Sequence, residues 1–455
     1  MSISHSYAQR FYRCITALLA VMLLLSGCRG APQITSTPQP APVHDSQYWI
    51  SMVPDEDNVI LSMEQIQSRN RLNYANPETK MVDLSAENLE LSGGELRKAL
   101  ESVQRYKFEN QYVRGVHPSQ GYQLDLIARM DFEQLSDDEI LQKRMAVAIC
   151  RSDIRAFPTQ DAFLSDPADV DFDNIQSGVL LPAEAALVLH ESADSLWYYV
   201  QGYNCSGWVL AEDIALTQDR TLWLDFLQGR DFLLICANRM PVENAIESGI
   251  AQSLYMGTRL PLLEVQRSGD VINAYVVGMP RRSVSGTLEV FPYTISSDLD
   301  VYEGYLPYTS RSALQQGFKC LGDVYGWGGM YDSRDCSSFT GDIYRCFGMA
   351  LGRNTTWQPK CAGIYYDTEN LSHDERVDLI EDLESGALLF FPGHVMLYLG
   401  ASQGDFYVLH SFYSYATEDG ERQIARAIDV SPLSLRRYTT SETFLDSLTS
   451  VLELR

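Results

Sequence analysis

Residues 325–358 read YGWGGMYDSRDCSSFTGDIYRCFGMALGRNTTWQ, and the change of texture at Cys336 organises the rest of the chain. Gly322, Gly326, Gly328 and Gly329 precede it, whereas Phe339, Ile343 and Phe347 follow at a four-residue spacing that suits one helix face. Cys336 is therefore expected where a glycine-rich loop becomes a helix. The free N–H groups and positive end of a helix favour a thiolate, the form that acts as nucleophile. The Cys336 N–H is also placed to face a developing oxyanion.

A nucleophilic thiol needs a base. Besides His5 near the start and His44, the histidines are His117, His190, His373, His394 and His410. His394 stands in LLFFPGHVMLYLG, residues 388–400, two β-type runs broken by Pro392-Gly393, so it opens the second strand. His410 ends FYVLH, residues 406–410, which reads as the next strand. Two imidazoles side by side on a sheet, facing a cysteine helix, form the nucleophile, base and orienting group of a papain-type site.

Upstream, short β-type runs separated by Gly, Pro, Asn and Asp fill two stretches of similar size. The first holds Val188–His190, Leu196–Gln201 and Gly207–Leu210, and the second Phe232–Cys236, Leu260–Val265 and Val271–Val277. Two small β-barrels in tandem are expected, at 145–217 and 218–298. Ahead of them, Ser62-Met-Glu-Gln65, Ser85-Ala-Glu and Ser136-Asp-Asp-Glu139 read as helix starts, so 48–144 is expected to be a helical N-terminal domain. The catalytic domain takes 299–455. The fold class is thus multidomain α+β.

The first residues carry Arg10 and Arg13 and no acid before an apolar run, Cys14 to Leu25, that is too short to span a bilayer. Residues 1–27 are expected to be a signal peptide. Leu25-Ser-Gly-Cys28 resembles a bacterial lipobox, which implies that Cys28 becomes the lipidated N-terminus. Pro32, Pro38, Pro40 and Pro42 make residues 28–47 a flexible tether. The resemblance implies an exported, membrane-anchored lipoprotein on the periplasmic face, and in a Gram-negative cell Arg29 after Cys28, in place of the aspartate that marks inner-membrane retention, implies the outer membrane.

The 455 residues include 35 Lys and Arg against 60 acids, a net charge of −25, and removal of residues 1–27 would make it −27. Nucleic acid is excluded as a default partner. Nine cysteines without a C-x2-C pattern are neither a disulfide scaffold nor a paired zinc motif. Cys346 with Cys361, and Cys150 with Cys205, are pairs that an oxidising compartment would permit.

Asp335-Cys-Ser-Ser-Phe, then Gly348-Met-Ala-Leu-Gly-Arg353, then Gly386-Ala-Leu-Leu-Phe-Phe-Pro-Gly-His394-Val resemble the NlpC family of bacterial cell-wall cysteine endopeptidases over about residues 310–412. Gly202-Tyr-Asn-Cys-Ser-Gly-Trp-Val209 resembles bacterial SH3-like domains. The family resemblance implies Cys336 as nucleophile, His394 as general base and then acid, His410 as its orienting partner, and Tyr325 beside the oxyanion. It also implies Trp327 as a pocket aromatic. In the branch with N-terminal SH3-like domains, Asp335 and Ser337 match residues that hold a free amino terminus, with Glu184 and Tyr203 at matching positions of the first barrel. That branch cleaves γ-D-glutamyl to diamino acid bonds in muropeptides beginning with free L-alanine. The stretch 353–358 departs from the family's Arg-Asp-Ser-x-x-Gln by carrying Asn354 and Thr355.

Two other classes stand against this reading. Cys336, His394 and His410 are zinc-ligand types, although the glycine loop and Asp-Cys-Ser context suit a nucleophile better. The other is a non-catalytic lipoprotein that binds peptidoglycan peptides through a degenerate peptidase domain. Retention of all three catalytic types speaks against decay. The expected partners are peptidoglycan stem peptides and the membrane through Cys28, with no cofactor, no metal and no obligate protein partner.

Overall fold

Six antiparallel strands form the C-terminal sheet, in the spatial order Ile364–Asp367, Ser450–Glu453, Leu388–Phe391, His394–Ser402, Asp405–Ala416 and Arg422–Pro432. The computed structural model describes residues 42–101, 106–133 and 135–455, so the signal peptide, Cys28 and the tether up to residue 41 lie outside the described residues. The run at 388–400 is apolar at nearly every position because both faces of these strands are covered. Leu388, Phe390, Val395, Leu397 and Leu399 pack with Phe339 and Ile343 of the Cys336–Arg345 helix. Leu389, Met396 and Tyr398 pack on the other side with Ile380, Phe444 and Leu448. The side-chain alternation of a strand splits one apolar run between two cores.

Pro392 and Gly393 make the two-residue turn expected between strands, with Phe391 paired to His394. Gly393 has φ +83, a conformation that a side chain resists. The turn sets His394 as the first residue of a central strand.

The first barrel is a seven-stranded antiparallel sheet running from Arg144–Ala148 to Ile214–Thr217, and it contains all three predicted runs. The second is a five-stranded antiparallel sheet of Phe232–Ile235, Arg259–Ser268, Val271–Arg282, Leu288–Ser296 and Val301–Glu303. Its last strand pairs with its first, which carries the barrel past the expected end at 298. The two barrels share one core: Met145, Val147 and Leu187 of the first meet Leu233, Ile235 and Val277 of the second. Trp223, on the connecting helix Arg220–Gln228, is buried there and its indole N–H donates to the carbonyls of Ala146 and Ala186.

The N-terminal region differs most from expectation. Of the three predicted helix starts, Ser62 forms the reciprocal capping box with Gln65, at 2.8 and 3.3 Å, and opens Met63–Ala75. Ser85 instead bonds Asp83, and the chain after Ser136 enters a strand, Ile140–Gln142, that pairs with Glu90–Ser92. Cap-like turns occurred there, but cross-strand pairing took the residues after them. Helices start instead beside Ser92, bonded to Glu95, and at Ser119.

Nor is 48–144 a domain with a single core. Val43, Trp49, Ile50, Leu61 and Ile66 pack into the C-terminal domain, whereas Leu96, Phe108, Leu126 and Phe132 pack with Trp197 and Trp208 of the first barrel. The tether expected to run to residue 47 accordingly ends by Val43, which is buried and accepts the Trp49 indole N–H at 2.8 Å.

Neither proposed cysteine pair forms. The seven described cysteines are free thiols, with Cys346 accepting from the Gln316 amide and Cys150 beside Ser152. Among the described residues no helix is long and apolar enough to cross a membrane.

Candidate active site

Cys336 is the first residue of the helix Cys336–Arg345, as its place after the glycine loop suggested, and it is buried. Asp335 caps that helix by accepting from the Ser338 N–H at 2.8 Å. The carboxylate also accepts from Ser337 Oγ at 3.1 Å, from Gly328 N–H at 3.2 Å and from Arg353 Nη2 at 2.8 Å. Burial works to raise the Asp335 carboxyl, but Arg353 and the Ser338 donors outweigh it and hold it below the usual carboxylate range. Asp335 and Arg353 are a buried ion pair with the acid's lone pairs already in use.

The thiol behaves differently from the helix-dipole expectation. Burial, with the adjacent Asp335 carboxylate adding to it, pushes Cys336 up to about 12, against opposing donation from the Val395 and Ser337 N–H groups and the charge of Arg353. A helix N-terminus is worth about 0.3–1 kcal/mol, less than one pKa unit, whereas full burial moves a pKa by as much as 3–5 units. In the free protein Cys336 is therefore a thiol.

The sheet brings His394 and His410 together. His394 Nε2 lies 2.7 Å from His410 Nδ1, and His410 Nε2 lies 3.0 Å from Ser431 Oγ. His410 is fully buried, stacked on Phe412 at 4.1 Å between centroids and edge-on to Phe444. Burial, aided by the charge of Arg437, lowers His394 to about 3. Burial and His394 lower His410 well below its usual value. Both rings are neutral, so one proton lies between each pair of atoms. With His394 Nε2–H donating to His410 Nδ1, and His410 Nε2–H donating to Ser431, His394 Nδ1 keeps its lone pair. Among the described residues no three His, Cys, Asp or Glu side chains are gathered as a metal ion would need.

Tyr325 is buried, and its phenol is raised by burial and by the nearness of Cys336 and Asp335. Trp327 is held by the first barrel: its indole N–H donates to the Asp173 carbonyl at 3.0 Å. Phe172 of that barrel packs its ring against Tyr325, Trp327 and Tyr413 at 6.0, 5.3 and 4.6 Å between centroids. Gly328 and Gly329 have φ +58 and +95, and a Cβ on either would come within 2.6 Å of Gln176 O or Val179 Cγ1. The glycines therefore let the loop lie directly on the barrel strand Gln176–Leu180.

Glu184 and Tyr203 both meet Arg345, and Tyr203 lines a small pocket with Ser337 and Arg353. Glu184 pairs with Arg345 Nη1 at 3.1 Å, and Tyr203 accepts from Arg345 Nη2 at 3.0 Å. Arg345 ends the helix that Cys336 begins, roughly 13 Å away along its axis. The first barrel also reaches the glycine loop and Arg353 through Phe172, Gln176 and Gly178. Sequence reasoning also left Arg353 and Ser431 without a role. Arg353 is one of two cations of the motif after Cys336, with Arg345, and the fold brings it rather than Arg345 to the buried Asp335, whereas nothing local marks Ser431 or Phe172. Gln358, fully buried, donates to the Ser337 carbonyl at 2.8 Å and accepts from Thr340, bracing the nucleophile helix. Asn354 is spent locally on the N–H groups of Thr356 and Trp357.

Residues 322–417 match the NlpC/P60 family, and residues 162–210 match the SH3 domain of SH3b1 type. The chain carries an NlpC/P60 domain. Proteins of the NlpC/P60 family are cell-wall cysteine peptidases or amidases, and SH3b domains accompany peptidoglycan-related binding. Among solved structures, an NlpC/P60 endopeptidase from Photobacterium damselae subsp. piscicida shares the fold with a TM-score of 0.71 at 17% identity, over 90% of this chain and 96% of that one. An NlpC/P60 family protein from Bacillus cereus is similar at a TM-score of 0.45 and 19% identity, over 68% of this chain and 99% of its own. No curated protein sequence matches this chain. The NlpC/P60 domain thus supplies the Cys336 helix and the histidine sheet, and the SH3b domain supplies the strand on which the glycine loop rests.

Proposed function

We propose that this protein hydrolyses the γ-D-glutamyl to diamino acid bond of peptidoglycan stem peptides, using Cys336 as nucleophile. The observation that carries the reading is the buried chain Ser431–His410–His394 behind the first residue of a helix. His394 Nδ1 takes the thiol proton as Sγ attacks the γ-D-glutamyl carbonyl, and the oxyanion forms beside the Cys336 N–H and the Tyr325 hydroxyl. His394 then gives that proton to the departing diamino acid amine. Water, deprotonated by the same imidazole, attacks the thioester and releases the glutamyl carboxylate and the free thiol.

Preference for a free N-terminal L-alanine rests on Asp335 and Ser337. An ammonium arriving there shares Asp335 with Arg353, because the carboxylate is already paired. Mass spectrometry of digests of L-alanyl-γ-D-glutamyl-diaminopimelate, its N-acetyl form and disaccharide tetrapeptide tests bond and terminus together. Cleavage of the free tripeptide alone supports both parts, and equal rates on the acetylated form remove the free-amine preference. Binding without turnover would favour the non-catalytic lipoprotein.

Export and lipidation at Cys28 belong to the same proposal and rest on residues 1–28. Cells fed radioactive palmitate should label the parent protein and not Cys28→Ser. Equal labelling of the two would end the lipoprotein reading.

A further inference from the structure

Away from Cys336, the N-terminal helix Met63–Ala75, both barrels and the C-terminal domain line an open cavity of about 870 Å³, within the size range of pockets that take small ligands. Its charge runs against the chain. A protein of net charge −25 lines this space with Arg71, Arg230, Arg259 and Arg345 against only Asp83 and Glu184. Glu184 is taken by Arg345, and Asp83 accepts from the N–H and hydroxyl of Ser85 rather than from an arginine. Arg259 donates to the carbonyls of Leu227 and Gly229 at 2.9 and 2.7 Å, lies 4.0 Å over the Phe232 ring, and has no carboxylate partner. Arg71 and Arg230 form no ion pair or hydrogen bond among the described residues. The Nε atoms of Arg259 and Arg345 are buried without a partner.

Arg259 is desolvated without an anion, which is costly, so a carboxylate arriving beside it recovers part of that cost. Arg71 and Arg230 are exposed and solvated, so they contribute positive charge rather than unmet hydrogen bonds, and together with Arg259 that charge favours a ligand with more than one negative group. Tyr74 and Tyr305 add apolar ring faces suited to short aliphatic side chains. We propose that this cavity is a second binding site for a short, multiply carboxylated peptide. That the peptide comes from the cell wall rests on the function proposed above, whereas its anionic character rests on the arginines alone. Glu184 and Tyr203, which the resemblance placed at the catalytic pocket, act here by holding Arg345 at the cavity wall.

Isothermal titration of the Cys336→Ala chain with L-alanyl-γ-D-glutamyl-diaminopimelate tests this. Two binding events per chain are expected, one of them weakened at least tenfold in Arg71→Ala/Arg230→Ala and for the peptide with its carboxylates amidated. The same double substitution with Cys336 intact should leave turnover within about twofold. A single event that the double substitution weakens supports the cavity site while counting against the catalytic reading. A double variant that binds the tripeptide as its parent does, or an amidated peptide that binds equally well throughout, overturns the proposal.

Discussion

His394 Nε2 and His410 Nδ1 stand 2.7 Å apart with no carboxylate behind them, so the orienting group of this site is neutral. A neutral imidazole has two tautomers, and the one that leaves His394 Nδ1 free is selected only if His410 donates onward. Ser431 Oγ, 3.0 Å from His410 Nε2, is the acceptor that permits it. Ser431→Ala should lower kcat about a hundredfold, the lower end of what general acid–base chemistry contributes, with KM little changed. Ser431→Thr should recover most of the loss. Steady-state kinetics on the tripeptide decide it, and an unchanged kcat in Ser431→Ala would remove Ser431 from the proton chain.

Cys336→Ala and His394→Ala should each reduce turnover by a factor of about a thousand or more, because nucleophile and base act as a unit. Circular dichroism of both variants should match the parent. Chelators should leave activity unaltered. Loss of activity that zinc alone restores would favour the metal reading.

A buried thiol pushed up to about 12 is almost wholly protonated at pH 7. Alkylation of Cys336 by iodoacetamide in the ligand-free chain should therefore be slow at neutral pH and rise at least tenfold between pH 7 and pH 9. Peptide mass spectrometry identifies the modified site. A rate already at its plateau at pH 7 would mean a thiolate and contradict the effect of burial.

Protonation of His394 links stability to pH. Its folded value of about 3 lies below the ordinary value near 6.5, so between these the unfolded chain binds the extra proton. Stability is full above about pH 6.5 and falls as pH drops toward 3, by an amount on the order of a few kcal/mol from this group. Urea midpoints measured from pH 7 to pH 4 should decline less steeply in His394→Gln. Parallel curves would show that other groups govern the acid limb.

Arg353 and Asp335 are worth more together than apart. Arg353→Met leaves a buried carboxylate unpaired and should cost about 3–5 kcal/mol, whereas Arg353→Met combined with Asp335→Asn should regain much of that. Urea denaturation of the single and double variants measures the coupling. A double variant less stable than either single would show that the hydrogen bonds of Asp335 to Gly328 and Ser338 outweigh its charge.

The nucleophile was legible because its signals are local: glycines that allow positive φ, an Asp at the cap and apolar residues at helical spacing all fall within one stretch. His394 was legible for the same reason, since Pro392-Gly393 announces a turn between two apolar strands. The helix starts at Ser85 and Ser136 misled because a serine followed by acids makes the same turn before a helix or a strand. Arg345 as the partner of Glu184 and Tyr203 was not legible, because position along a barrel strand does not say which neighbouring domain that strand will meet.

What the sequence determined by itself was therefore most of the elements and where Cys336 and His394 stand on them, through short-range backbone preferences and the periodicity of apolar residues. Three things were decided only by the tertiary structure. Packing of distant segments buried Cys336 and His394, and that burial, not the helix end, sets their protonation. Antiparallel pairing of Asp405–Ala416 with Arg422–Pro432 brought Ser431 to His410 across 21 residues. Contact of four chain segments gathered arginines spread from 71 to 345 around one cavity. Each depends on which surfaces exclude water together, and that is a property of the assembled chain rather than of any stretch within it.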